Sequence, residues 1–193
     1  GSFDLGGFSD TVGAVTLAGG SITNGTLTGS SYVLQSGNVA AVLAGGGALT
    51  KNGGGTANLS GANTFTGGTT VNGGRLATTA GERLADGGLV TVNSAGTLAL
   101  GGNETIAGLA GSGAVQLGGR LITGSTNSDF SGVMSGSGGL TKSGSGAFTL
   151  SGANTYTGDT ILSGGTLVLA SSNALWRGGV VTLTNGTTLT VNQ

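Results

Sequence analysis

The amino-acid sequence predicts an all-β protein built as a parallel β-helix, a solenoid of about eight coils. Three observations support this fold class: a long internal repeat, many strand-like runs of three to five residues, and 45 glycines without a proline in 193 residues. Glycine allows the positive φ of sharp corners, whereas proline cannot donate to a strand ladder. An antiparallel sandwich or barrel is the alternative, and it would favour longer strands joined by hairpin turns.

The internal repeat consists of residues Leu49–Leu76 and residues Leu140–Leu167, which lie 91 positions apart and share 17 of 28 aligned residues. A fixed offset of this kind is typical of a repeat architecture, so we expect residues 1–193 to form a single β-helix domain, with Gly1 and Ser2 left by a removed tag. We assign a structural role to ten of the shared positions in each copy: Leu49, Thr50, Lys51, Ser60, Gly61, Ala62, Asn63, Thr64, Gly73, Gly74, Leu140, Thr141, Lys142, Ser151, Gly152, Ala153, Asn154, Thr155, Gly164 and Gly165.

The strand-like runs alternate between apolar and small polar residues. In the run TLAL, alternation places Leu98 inward and Thr97 outward, because successive side chains of a strand face opposite sides. With roughly 20 to 25 residues in a coil, the 91-residue offset corresponds to about four coils and the whole chain to about eight.

Two residue types in the repeat have an expected local role. We expect Lys51 and Lys142 to project into solvent, since lysine is rarely buried. We expect Asn63 and Asn154 to fill corners, where asparagine tolerates the left-handed conformation and bonds to its own backbone.

The composition argues against several classes of partner. Charged residues make up 7% of the chain and the net charge is −1, so a basic surface for nucleic acid or anionic lipid is not expected. The apolar run Val39–Ala44 is far too short to span a membrane, and we expect no membrane insertion of this segment. The chain has no cysteine, and a long stacked core does not require disulfides.

The chain also offers few residues for chemistry. It contains neither histidine nor cysteine, which excludes Ser-His-Asp and Cys-His nucleophiles and histidine or cysteine metal sites within these residues. We expect no enzyme activity and no catalytic residue, cofactor or metal. The carboxylates look isolated, and the group Glu82, Arg83 and Asp86 is interpreted as a solvated corner, because the equivalent loop of the second copy lacks its carboxylates. The acidic residues are Asp4, Asp10, Glu82, Asp86, Glu104, Asp129 and Asp159.

The second copy, with its run LTKSGSGAFTLSGANTYTGDTILSGGTL, closely resembles the passenger-associated transport repeat of bacterial autotransporters. The first copy departs from that pattern at Asn58, Phe65 and Arg75. The resemblance implies a right-handed parallel β-helix in a passenger exported by type V secretion to the outer surface of a Gram-negative cell. It also implies a C-terminal β-barrel translocator as the partner in export, and a repeat associated with export rather than catalysis.

Two functions remain open at this point. The chain is either a non-enzymatic stalk that promotes export and presents other domains, or an adhesin or toxin segment that binds a host surface, matrix component or glycan directly. Trp176, Tyr32 and Tyr156 are far apart in sequence, so no aromatic cluster marks a binding hot spot. The stalk is therefore the leading hypothesis.

Overall fold

The computed structural model describes residues 1–175 and 178–192, and in these residues it shows a parallel β-solenoid without a helix. Each coil contributes three short segments, which give the solenoid three sides, and about ten coils stack along one axis. The paired strands run parallel, one coil above the next. The predicted fold class is confirmed.

Strands of three or four residues are the rule, and two longer strands continue around a corner. The first twelve are β1 (Ser2–Asp4), β2 (Ser9–Thr11), β3 (Ala14–Leu17), β4 (Ser21–Thr23), β5 (Thr26–Thr28), β6 (Ser31–Leu34), β7 (Gly37–Val39), β8 (Val42–Ala44), β9 (Ala48–Lys51), β10 (Thr56–Leu59), β11 (Thr69–Thr78) and β12 (Leu89–Leu100). The remaining strands are β13 (Glu104–Ile106), β14 (Gly108–Gly111), β15 (Ala114–Leu117), β16 (Leu121–Thr123), β17 (Ser128–Phe130), β18 (Val133–Gly136), β19 (Leu140–Lys142), β20 (Ala147–Leu150), β21 (Thr160–Leu162), β22 (Thr166–Leu169), β23 (Val181–Leu183) and β24 (Thr188–Val191).

The three sides follow from the strand pairing. Side 1 contains β1, β4, β7, β10, the second halves of β11 and β12, β15 and β18. Side 2 contains β2, β5 and β8, and later β13, β16, β19, β21 and β23. Side 3 contains β3, β6, β9, the first halves of β11 and β12, β14, β17, β20, β22 and β24. Sides 1 and 3 form one hydrogen-bonded sheet because β11 and β12 pass through the corner between them.

The core lies inside the coils, where inward side chains stack on their equivalents in the next coil. Leu98, for example, is fully buried and pairs with Leu76 of the coil before and Val115 of the coil after. Burying one such side chain contributes roughly 1.5–3 kcal/mol. Thr97 is half-buried on the outer surface, so the predicted facing of both residues is confirmed.

The coils vary in length, and most are shorter than the sequence suggested. A short coil connects Thr26 to its partner Val42 in the next coil, and a longer one connects Thr166 to its partner Thr188. Three short strands joined by tight glycine corners need no more residues than this. The chain therefore makes about ten coils where about eight were expected.

The expectation that the 91-residue offset spans about four coils has to be corrected. Leu49 lies in β9 on side 3, whereas Leu140 lies in β19 on side 2. The offset therefore corresponds to four coils and two further sides, and the second repeat copy is rotated by one side relative to the first.

Candidate functional site

The asparagine of each SGANT motif connects three successive coils. Asn63 Oδ1 accepts a hydrogen bond from Leu43 N at 2.9 Å, and its Nδ2 donates to Arg83 O at 2.9 Å. One partner lies in the preceding coil and the other in the following coil, so a single amide reaches both neighbours. The expected bond to its own backbone is wrong, and neither Asn63 nor Asn154 has a positive φ.

The second motif repeats this arrangement on another side of the solenoid. Met134 N donates to Asn154 Oδ1 at 2.8 Å, and Asn154 Nδ2 donates to Ala174 O at 2.6 Å. Asn154 is 3% exposed, whereas Asn63 is half-buried. The flanking residues Ala153 and Thr155 are exposed, so the buried residue of these three is the one that bonds to both coils.

The other positions of the motif help to turn the chain. Ser60 N and Gly61 N both donate to Val39 O of the preceding coil, at 2.9 and 3.3 Å, and Ser151 N donates to Phe130 O at 3.1 Å. Gly61 and Gly152 are buried where a Cβ would overlap a carbonyl of the coil below, while Ser60, Ala62, Thr64 and Ser151 are exposed.

The lysines of the LTK strands point into the solenoid, so the expectation that they project into solvent is wrong. Leu49 and Leu140 are inward and fully buried, Thr50 and Thr141 are outward, and alternation then turns the lysine inward again. Lys51 and Lys142 are fully buried. Burial lowers the pKa of both ammonium groups.

Backbone carbonyls at the corners satisfy the two buried ammonium groups. Lys51 Nζ donates to the carbonyls of Asn52 at 2.7 Å, Gly53 at 2.9 Å and Gly73 at 3.0 Å. Lys142 Nζ donates to the carbonyl of Gly124 at 2.9 Å and to that of Gly144. In both copies the cation bonds to carbonyls of its own corner and of an adjacent coil.

The glycine pairs Gly73-Gly74 and Gly164-Gly165 form a corner whose second residue has to be glycine. Gly74 and Gly165 have φ values of 65° and 64°, in the left-handed region. A Cβ at either position would also overlap a carbonyl of the preceding coil, that of Gly55 or Gly144. This is the physical reason for glycine at the end of both copies.

A buried carboxylate that the sequence presented as isolated lies between two coils on side 2. Glu104 is fully buried, and its carboxylate accepts hydrogen bonds from Arg83 N at 2.9 Å and Leu84 N at 2.8 Å. Burial raises its pKa to about 7, the two backbone N–H groups oppose this, and nearby Glu82 and Asp86 add to it. Glu82 and Asp86 are exposed, as a solvated corner requires.

A polar cleft of about 450 Å³ lies where side 1 turns toward side 2. Arg75 Nη1 donates to Gln116 Oε1 at 2.5 Å across two coil steps. Ala99, which pairs with Gln116 and points outward, is 5% exposed beneath this bridge. Ser135 and Ser137 line the end of the cleft. One feature of the sequence pointed to it, since Arg75 departs from the repeat pattern.

Two kinds of feature were not found in the part of the chain that the structure describes. In residues 1–175 and 178–192 no group of three or more acidic side chains is arranged to hold a metal ion. None of these residues belongs to a helix long and apolar enough to cross a bilayer. Tyr32 and Tyr156 are buried in the core, while Trp176 and Arg177 lie outside the described residues.

Comparison with known proteins finds the same two repeat copies. Residues 49–77 and 140–169 match the family model described as Passenger-associated-transport-repeat. The Adhesin BmaC autotransporter of Brucella suis biovar 1 (strain 1330) is 41% identical over 170 residues, which are 86% of this chain and 5% of that relative. The chain thus spans a small part of the length of the curated relative it matches. No solved structure matches the chain.

The family model matches the LTK and SGANT segments of both copies. The similarity to the autotransporter adhesin covers most of the chain. The chain therefore carries two segments that match the passenger-associated transport repeat, and over most of its length it is similar to part of an autotransporter adhesin.

Proposed function

We propose that this segment is a non-enzymatic stalk, which promotes export and folding of the passenger at the cell surface and holds other domains away from the membrane. The observation that carries the proposal is that the repeat residues bond to the coils on either side. Asn63 and Asn154 each reach the preceding and the following coil, and the buried lysines reach an adjacent one.

Such contacts favour stepwise folding, in which each coil forms on a neighbouring coil that has already folded. In a solenoid each repeat contacts only its neighbours, so a coil that has formed provides the template for the coil that follows. If the translocator is the passenger's own C-terminal β-barrel, every coil that folds outside opposes the return of the chain. Folding free energy would then bias transport outward.

The absence of histidine and cysteine from the sequence supports a non-enzymatic role. The single strongly perturbed carboxyl among the described residues, Glu104, is fully buried and bonds to the backbone of the adjacent coil. A proton donor or acceptor must reach its substrate, and this carboxylate is engaged inside the fold.

The export proposal is tested with Leu98→Asp and Thr97→Asp in the full-length exporter. Leu98 is fully buried between Leu76 and Val115, so a carboxylate there costs several kcal/mol or unfolds the coil. Thr97 faces outward, and its substitution should be nearly neutral. We expect less protease-resistant passenger at the cell surface for Leu98→Asp. Equal surface yields at matched expression would reject the link between coil folding and export.

Direct adhesion is the second candidate function. It is favoured by the similarity to a relative named as an adhesin, and by the polar cleft beside Arg75. Glycan and matrix binding measured on this segment would separate it from a purely structural stalk.

A further inference from the structure

The cleft beside Arg75, at the corner between sides 1 and 2, has the features of a binding site. Arg75 is the one charged side chain among the described residues that line it. Its observed partner is a neutral amide oxygen, that of Gln116, rather than a carboxylate. A guanidinium has five N–H donors, so this one keeps donors for a ligand.

Three other cations of the described residues serve the fold. Lys51 and Lys142 are buried against corner carbonyls. Arg120 Nη1 donates to Leu140 O at 3.2 Å, Thr141 Oγ1 at 3.0 Å and Asp159 O at 3.3 Å, three acceptors in the following coils. Arg75 instead extends along the outer surface.

The fold does not require arginine at position 75. The equivalent residue of the second copy, 91 positions later, is Thr166. Arg75 pairs with Thr56 and Thr97 in neighbouring strands, and Thr166 pairs in the same way with Ala147 and Thr188. A threonine therefore satisfies this strand position, and the arginine calls for a different explanation.

We propose that the cleft binds a carboxylate-bearing sugar, with the Arg75 guanidinium on the carboxylate. The planar fork of arginine pairs with a carboxylate through two parallel hydrogen bonds. The Gln116 amide and the hydroxyls of Ser135 and Ser137 lie along the same cleft and match the hydroxyls of a sugar ring. The small side chain of Ala99 and the adjacent Gly101 and Gly118 leave the floor low enough for a ring to lie on it.

The dimensions and the charge restrict the ligand further. From Arg75 in β11 to Ser135 in β18 the cleft crosses three coil steps, about 14 Å at the spacing of neighbouring strands. That length suits an oligosaccharide better than a single ring. A polyphosphate or nucleic acid would need a row of cations, whereas one guanidinium suits a singly charged group.

This inference goes beyond the proposed stalk function and stands independently of it, because the Arg75 side chain takes no part in the asparagine and lysine contacts between coils. A chain that fails to bind sugars can still promote export. A chain that binds them can do so whether or not its folding drives transport.

The test is an NMR titration of the 15N-labelled 193-residue chain with three probes. Sialyllactose carries a sialic acid, a hyaluronan oligosaccharide carries uronic acids, and lactose is the neutral control. We expect saturable shifts of the Arg75 Nε–H and Gln116 side-chain amide signals with at least one acidic probe and none with lactose. Which acidic probe binds identifies the source of the carboxylate.

Matched variants make the test decisive. Arg75→Thr installs the residue of the second copy, so the fold should remain, as judged by unchanged amide signals away from the cleft. We expect it to weaken binding at least tenfold. Thr166→Arg added to Arg75→Thr restores the charge on another side and should not restore binding. Absence of saturable shifts with both acidic probes, equal shifts with lactose, or undiminished binding by Arg75→Thr would each overturn the proposal.

Discussion

In the first repeat copy the LTK strand lies on side 3, whereas in the second copy the same strand lies on side 2. Despite this rotation, Asn63 and Asn154 bond to the residues 20 positions before and 20 positions after them. The repeat therefore specifies contacts along the solenoid axis and not a position around it. This is physically reasonable, since all three sides stack parallel strands at nearly the same spacing.

The two copies differ both on the outer surface and in the core. Arg75 of the first copy has Thr166 as its counterpart on the outer surface, and Phe65 has Tyr156 in the core. Both aromatic rings are buried, Phe65 at 2% exposure and Tyr156 at 1%. Matched substitutions at shared and at differing positions therefore test how far the two copies are structurally equivalent.

The largest difference is expected for the two bridging asparagines. Asn154→Ala removes two hydrogen bonds at a buried position and leaves Met134 N and Ala174 O without a partner, which costs about 2–4 kcal/mol. Asn63→Ala removes the same two bonds at a half-buried position, where water replaces them, and should cost about 1–2 kcal/mol. Urea unfolding of both variants measures the difference.

The exposed neighbours provide the control for this pair. Thr155→Ala and Thr64→Ala should each change the free energy of unfolding by less than about 0.5 kcal/mol, as is usual for surface positions. If Asn63→Ala proved as costly as Asn154→Ala, burial would not be the reason for the difference.

The corner glycines should respond equally in both copies. Gly74→Ala and Gly165→Ala force a Cβ onto a residue with positive φ and against a carbonyl of the preceding coil, so each should destabilise by about 1–3 kcal/mol. Gly54→Ala is the matched control, because a Cβ there has no atom within 4 Å. Unequal losses in thermal or urea unfolding would show that the two corners are not equivalent.

The solenoid and the facing of Leu98 could be predicted from the sequence because both depend on local alternation and on a repeated pattern. Alternation also carried the signal for Lys51: an inward Leu49 and an outward Thr50 put the next residue inside. The general preference of lysine for solvent argued against an inward Lys51. The carbonyls of Gly53 and Gly73 accept hydrogen bonds from its ammonium group, and their positions depend on how the coils superimpose.

Side-chain contacts between different coils could not be predicted from the sequence either, because they also depend on how the coils superimpose. Arg75 and Gln116 meet because Arg75 pairs with Thr97 in the next coil, and Ala99 of that coil pairs with Gln116 in the one after. These two coil steps differ in length, and two steps of equal length would have placed other residues over Arg75. The length of each coil, set by its corners, is the information that a single sequence did not supply.

The smallest expected effect comes from a hydroxyl that the second copy has and the first copy lacks. Tyr156 Oη lies 2.7 Å from Thr160 Oγ1 inside the core, and burial raises the pKa of this tyrosine to about 12. In the first copy the counterparts are Phe65 and Thr69, and Thr69 Oγ1 is buried with no hydrogen-bond partner among the described residues. The Phe65 ring instead packs near Tyr32, with 6.1 Å between ring centroids.

Phe65→Tyr should therefore stabilise the protein by about 1 kcal/mol, since it supplies the missing partner of Thr69. Tyr156→Phe should destabilise it by a similar amount, because Thr160 Oγ1 then stays buried and unpaired. In urea unfolding, the double variant should lie close to the unmodified chain, as the two distant changes add. A loss of stability in Phe65→Tyr would mean that the ring, held against Tyr32, cannot bring its hydroxyl to Thr69, and that the equivalence of the two copies ends at the backbone.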